Sequence, residues 1–274
     1  MKAHIAKETP RKESVSTEND NGSEQASLRG AMAATLIGDG LIGNKQSNQR
    51  SICAGCNRPT PTSCFCVALP AQRIHLERSH CLVLQHPHEA RRKNRSLPFV
   101  QHCLDSDSLT VHVRKRLSKN TDQTVKDLLY RPPEEANERS NVWLVYPGEE
   151  AVSLTEALEQ RRDDNSRITL VFLDATWKYA KEMDRYNIQH QQYPANMLRV
   201  QLAEQDLAPL LTRPCRFDIR TPPTEQHLST AECVAWVMAQ AEERPDIYSI
   251  IMKPLDLMVQ QWHSCKETRT TNDD

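Results

Sequence analysis

The chain has 274 residues, with 35 Lys and Arg against 36 Asp and Glu and a formal net charge of −1. That length allows one domain of about 200 residues or two small ones, and no apolar run approaches the roughly 18 residues of a membrane span. Five of the seven glycines fall in the first 50 residues. Beyond them only Gly55 and Gly148 remain, so G-x-G-x-x-G and G-x-x-x-x-G-K-[ST] are both absent. A dinucleotide Rossmann site, a glycine-rich methyltransferase loop and a P-loop each need several glycines to bring backbone close to the ligand, and all three are disfavoured.

Residues 1–50 carry no aromatic and no cysteine. Such a segment buries too little apolar surface to offset its ordering entropy, and we expect a tail. Its acids (Glu8, Glu13, Glu18, Asp20) argue against a transit peptide, and the apolar stretch Ala31–Ile42 is too short and broken for a secretory signal. An intracellular protein is expected. Order is expected from Ser51 to Lys266, as a small cysteine module over 51–72 and a main domain over 73–266, followed by a polar fray over 267–274.

Four of the nine cysteines lie within fourteen residues, as Cys53-x-x-Cys56 and Cys64-x-Cys66. Two close pairs on short hairpins suit tetrahedral Zn²⁺, which takes thiolates at about 2.3 Å. Four ligands leave no position open, so the expected zinc is structural. A redox C-x-x-C at Cys53 and Cys56 is the alternative, weakened by the second pair. Cys81, Cys103, Cys215, Cys233 and Cys265 read as small buried hydrophobes.

Downstream, apolar runs at Ser79–Leu84, Leu109–Val113, Val142–Tyr146, Ile168–Leu173 and Met197–Leu202 predict strands. Helices are expected over Thr176–Tyr186, from the capping box Ser229-Thr230-Ala231-Glu232 to about Glu243, and over Ile247–Trp262 with an interruption at Pro254. Strands apolar throughout and alternating with helices predict an α/β fold: a largely parallel sheet with helices on both faces. His86, His88 and Glu89 could be imagined as a metal triad, but Pro87 extends the chain between them; Glu89 is expected to pair with a local arginine.

Two basic runs stand out, Arg91, Arg92, Lys93 and Arg95, and His112, Arg114, Lys115, Arg116 and Lys119. Each is either a solvated face or a phosphate-neutralising one. Asp174-Ala175-Thr176-Trp177 falls where the strongest strand ends and a helix begins, the place where open α/β sheets bind ligands. On chemistry alone Asp174 also reads as a helix N-cap and Trp177 as a core anchor.

Taken in order, the cysteine cluster, Gln85-His86-Pro87-His88-Glu89, Val145-Tyr146-Pro147-Gly148, the Asp174-x-Thr176-Trp177 segment, and Arg220-Thr221-Pro222-Pro223 followed by Leu228-Ser229-Thr230-Ala231-Glu232 resemble the DTW-domain proteins, the tRNA-uridine aminocarboxypropyltransferases. The likeness covers roughly residues 51–262 and is nearest to eukaryotic members, whose H-P-x-E segment lacks a following N-T-G. It implies a knotted, SPOUT-like sheet, S-adenosylmethionine as donor and tRNA as partner, with no membrane association and the oligomeric state open. The transferred group would be 3-amino-3-carboxypropyl, moved to N3 of a uridine to give acp³U and methylthioadenosine.

On that resemblance, Asp174, Thr176 and Trp177 are the catalytic candidates. Tyr146, Pro147 and Gly148 would form one cofactor loop and Leu228, Ser229 and Thr230 another. Arg91, Arg92, Arg95 and Arg220 would meet RNA, while Cys53, Cys56, Cys64 and Cys66 would hold structural Zn²⁺. Rival readings are a non-catalytic zinc-bearing RNA-binding protein and a related enzyme acting on ribosomal RNA. Ala175 stands where many relatives carry glycine, which matters only if the backbone there needs positive φ.

Overall fold

The computed structural model describes residues 51–119, 123–130, 141–161, 166–211, 216–219 and 228–270. The tail expected over 1–50, Cys215 and Arg220 lie outside them.

Six strands form one sheet: β1 (Ser79–Gln85), β2 (Leu109–Val113), β3 (Val142–Val145), β4 (Val152–Ser153), β5 (Ile168–Asp174) and β6 (Leu198–Gln201). Their order is β2-β1-β5-β3-β6-β4, and every pairing is parallel. The helices are α1 (Pro87–Ala90), α2 (Leu97–Cys103), α3 (Gln123–Leu129), α4 (Leu154–Glu159), α5 (Trp177–Gln189), α6 (Glu204–Leu211), α7 (Thr230–Ala241) and α8 (Asp246–Thr270).

Strands β1, β3 and β5 are buried almost throughout, as unbroken apolar runs require when both faces are covered. Side chains alternate across the sheet. Cys81, Val83, Trp143, Val145, Leu170 and Phe172 join one apolar layer with α2, α4, α7 and α8. Leu82, Leu84, Val142, Leu144 and Val171 join the other, with Val125 and Leu129 of α3 and Met183 of α5. The α/β expectation with helices on both faces therefore holds.

The expected strands all form, within one or two residues of their expected ends. Helix α7 starts where the capping box places it: the Ser229 Oγ accepts from the Glu232 N–H, and the Glu232 carboxylate accepts from the Ser229 N–H. One expectation fails at Pro254, which does not interrupt α8. A proline inside a helix costs about 3 kcal/mol. Burial of Ile251, Met252, Leu255 and Met258 around it outweighs that cost at about 1.5–3 kcal/mol per side chain. The helix also continues to Thr270, past the boundary expected at Lys266.

Six of these elements escaped sequence reading: α1, α2, α3, α4, α6 and β4. One of them, α4, carries its own capping box, Ser153-x-x-Glu156. The others are short, and α2 and α6 hold Pro98 and Pro209, which mask a helical pattern. Among the described residues no helix is long and apolar enough to cross a membrane.

Candidate active site and metal centre

The carboxyl ends of β1 and β5 are in register, with Gln85 opposite Asp174. The chain turns sharply after each: the His86 N–H donates to the Asp174 carbonyl at 2.9 Å. Asp174 itself is 3% exposed. One of its carboxylate oxygens accepts from Gln85 Nε2 and the other from Thr230 Oγ1, both at 2.7 Å. Asp174 is thus a clasp joining the tips of two strands to the start of α7. It is not the N-cap of α5. That position belongs to Thr176, whose side chain makes no capping bond.

Trp177 is not a core anchor either. It is 51% exposed, with its ring centroid 6.4 Å from that of Tyr146 at a tilt of 40°. Ala175 needs no left-handed backbone: among the described residues the non-glycine positive φ values belong to Asn57, Gln191 and Glu243.

Beside this clasp lies a cavity of about 450 Å³ between the ends of β3, β5 and β6 and the start of α7. Tyr146, Pro147, Trp177, Leu228, Ser229 and Thr230 line it, together with residues the sequence did not flag, among them Phe172, Val200, Gln201, Leu202 and Cys233. All but Gln201 are apolar, so without the structure they read as core. Cys233 was expected to be buried; it is half-buried and faces the cavity. Burial and the adjacent Glu232 push its thiol up to about 12, which makes it a neutral wall rather than a nucleophile.

Gly148 does not line this cavity. It sits on the flank beyond Tyr146, against the Arg199 side chain: a Cβ there would come within 2.8 Å of the Arg199 Cδ. Arg199 is fixed in turn by two bonds to Asp184, at 2.9 and 3.2 Å. Two N–H groups of the first turn of α7 are already engaged, Ala231 with Ser96 Oγ and Glu232 with Ser229 Oγ. Gln85 and Ser96 are thus parts of the site that sequence reasoning missed, although Gln85 directly precedes the His86-Pro87 motif.

Around α1, Glu89 pairs with Arg92 at 3.3 Å, as expected. His86, His88 and Tyr179 stack, with His86 and Tyr179 centroids 4.4 Å apart and nearly parallel. Burial, then the charges of His88 and Lys115, hold the His86 pKa below its ordinary value. The second basic run meets this stack: Lys115 and Arg116 line a groove with His86, Tyr179, Arg185 and Tyr186.

The four clustered cysteines converge. Their sulfurs all lie within 4.8 Å of one another, with Cys53 to Cys66 at 3.6 Å and Cys56 to Cys64 at 3.7 Å. A tetrahedron with metal–sulfur bonds of about 2.3 Å has edges of about 3.8 Å, so the set could hold a metal ion. Backbone N–H groups of Cys56 and Gly55 draw the Cys53 pKa down to about 6, while burial pushes Cys66 up to about 12. Four thiolates need a cation to coexist. Gly55 is required here, because a Cβ would lie 2.9 Å from the Cys66 Sγ. The module is seated by Phe65, fully buried and 4.8 Å from the Phe99 ring, and by Gln261 of α8, which donates to the Cys64 carbonyl at 3.0 Å.

Fold and site together define an α/β protein with a cavity at its strand ends, lined without glycine, and a four-cysteine centre. The chain belongs to the DTW-domain family, which matches residues 50–263. It is 28% identical over 236 residues to a mouse protein named tRNA-uridine aminocarboxypropyltransferase 2, covering 85% of this chain and 71% of that one. A macaque protein of the same name is 27% identical over 212 residues, covering 77% of this chain and 63% of that one. A fly protein of that name is 28% identical over 211 residues, covering 76% and 73%. The chain thus spans somewhat under two thirds of the macaque relative's length. No solved structure matches it.

Proposed function

We propose that this chain is a tRNA-uridine aminocarboxypropyltransferase that moves the 3-amino-3-carboxypropyl group of S-adenosylmethionine to N3 of a uridine. The reading is carried by family membership together with a cavity, built without a glycine-rich loop, that opens beside the Asp174–Thr230 clasp. In the reaction a bond forms between N3 and the Cγ of the donor chain, the Cγ–S bond breaks, and the N3 proton leaves. When bound, the donor's sulfonium supplies the activated carbon and departs as neutral methylthioadenosine.

The chain's own residues supply position and exclude water. Apolar walls at Phe172, Val200 and Leu202 suit an adenosyl group, as ligand cavities of about 300–1,000 Å³ usually do. Leu228, Ser229 and Thr230 would hold the amino-acid end. With Ala231 and Glu232 already bonded, Thr230 is the position of that turn left for it. Gly148 would serve from outside the cavity, letting Arg199 close against the loop that carries Tyr146 and Pro147.

Asp174 is the residue assigned to uridine orientation or proton acceptance. Acting as base requires a carboxylate lone pair to reach the uridine N3–H, and the Thr230 hydroxyl is the partner that can rotate aside. Thr176, free of capping duty, would bond donor or base. Exposed Trp177 offers a stacking face for an unstacked uracil. Arg91, Arg92 and Arg95 would contact phosphates, and Arg220 is assigned the same role from sequence.

The sheet supports a knotted, SPOUT-like arrangement, since β5 inserts between β1 and β3, and β6 between β3 and β4. The four thiolates, fitting a closed tetrahedral site, are assigned to structural Zn²⁺.

Product chromatography after incubation with tRNA and S-adenosylmethionine tests the reaction. Methylthioadenosine, formed only when tRNA is present, is expected. S-adenosylhomocysteine would mean methyl transfer, and tRNA binding with neither product would favour a non-catalytic RNA-binding protein.

A further inference from the structure

A second, larger hollow of about 1100 Å³ lies between the cysteine module, the loop after α1 and the last turns of α8. Among the described residues six cationic ones line it (Arg58, Arg91, Arg92, Lys93, Arg95 and Lys266), and no Asp or Glu does. In a chain whose net charge is −1 such segregation is not an average surface. Trp262, 36% exposed, presents an aromatic face on the same wall.

Arg58 is the unusual member. It belongs to the cysteine loop, where its carbonyl accepts from the Cys53 N–H at 2.8 Å. Its guanidinium lies over the rings of Phe65 and Phe99, 5.5 and 5.6 Å from their centroids. Among the described residues no carboxylate pairs with it. Cations gathered on one wall create a positive potential that attracts an anion. Arg95 is itself pinned, donating to the Ala90 carbonyl at the end of α1.

The hollow is tied to the strand-end cavity. Ser96, next to Arg95, accepts from the Ala231 N–H beside Thr230, so its basic wall is hydrogen-bonded to the first turn of α7.

Resting on the reading above that the substrate is tRNA, we propose that this hollow carries the RNA sugar-phosphate backbone and that Arg58, presented by the cysteine module, anchors a phosphate there with Arg95. The module's task is then to build one wall of the substrate groove. A guanidinium suits this role because its planar fork binds phosphate in two places. Trp262 adds a stacking face of the kind single-stranded segments use. A metal-loaded cluster of four thiolates carries two negative charges, so Arg58 could instead serve only to balance it; the test separates the two roles.

Binding of total tRNA is measured from about 50 to about 200 mM salt for wild type, Arg58→Gln and the double variant Arg91→Gln with Lys93→Gln, with zinc content determined for each. Expected for Arg58→Gln are retained metal, affinity lowered on the order of fivefold, and a salt slope shallower by about one. The double variant, which touches no cysteine, should lose affinity on the order of tenfold and about two in slope. Unchanged tRNA affinity in the double variant overturns the groove. Unchanged affinity in Arg58→Gln, with metal kept or lost, overturns the anchor. An acidic protein competing as well as tRNA at matched charge also overturns it. Assaying acp³U in parallel keeps the outcomes apart: acp³U made by a protein whose tRNA binding ignores these residues removes only this proposal. Binding that depends on them without acp³U removes only the transferase reading, and a wild type that binds no tRNA removes both.

Discussion

The cysteine module and the strand-end cavity are built in opposite ways. The module comes from fourteen consecutive residues whose spacing brings four sulfurs together, and Phe65 and Gln261 are among the contacts that join it to the rest. The cavity is assembled from β3, β5, β6 and α7, whose residues span from Val145 to Val234. Beside it, Asp174 accepts from Gln85 and from Thr230. A local motif stands or falls with its ligand; a non-local cavity stands or falls with the sheet.

The largest expected effect separates the two regions. Cys56→Ser should lose stoichiometric zinc, since metal binding in small Cys sites is worth about 10–16 kcal/mol apparent. Hydrogen exchange should then show lost protection around Phe65, while S-adenosylmethionine binding, read by calorimetry, persists. Loss of donor binding in that variant would break the comparison.

Asp174→Ala comes next. It leaves Gln85 and Thr230 without their acceptor, a cost of about 1–3 kcal/mol in stability, and should lower acp³U formation by about a hundredfold or more with metal content unchanged. Trp177→Ala should shift stability by no more than about 0.5 kcal/mol, as befits an exposed side chain. Loss of a stacking face worth about 1–3 kcal/mol should still lower kcat/KM for tRNA. Gly148→Ala should raise the donor KM a few-fold (on the order of threefold), because a Cβ 2.8 Å from the Arg199 Cδ forces the largely buried Arg199 side chain to shift.

The smallest effect is a pH dependence. His86 has its pKa lowered by burial and by the charges of His88 and Lys115, opposed by Glu182 and Glu89. A histidine with a depressed folded value favours the fold above its unfolded pKa of about 6.5 and loses that contribution as pH falls toward the folded value. Thermal melts should therefore drop slightly between about pH 7 and pH 5, and less steeply in His86→Gln.

Most of the sheet was legible because its strands are buried on both faces and so read as continuous apolar runs such as Ile168–Leu173. The cysteine centre was legible because its ligands are local. The helix α4 was missed although Ser153 and Glu156 spell the same capping box as Ser229 and Glu232. The clasp could not be read, because the Gln85–Asp174 and Thr230–Asp174 bonds join residues 89 and 56 positions apart. Trp177 read as core because tryptophan usually is; only its placement at the first turn of α5 leaves it half in solvent. The cavity walls were hidden for the converse reason, since Phe172 and Val200 differ in no chemical way from residues of the core.

The central claim is that the strand-end cavity delivers an aminocarboxypropyl group to tRNA. The most direct measurement is nucleoside mass spectrometry of tRNA incubated with S-adenosylmethionine carrying carbon-13 in its aminocarboxypropyl chain, for wild type and for Asp174→Ala. The account predicts labelled acp³U with wild type and its collapse in the variant while zinc and fold are kept. Label-free tRNA from both proteins, or equal labelling from both, would contradict it.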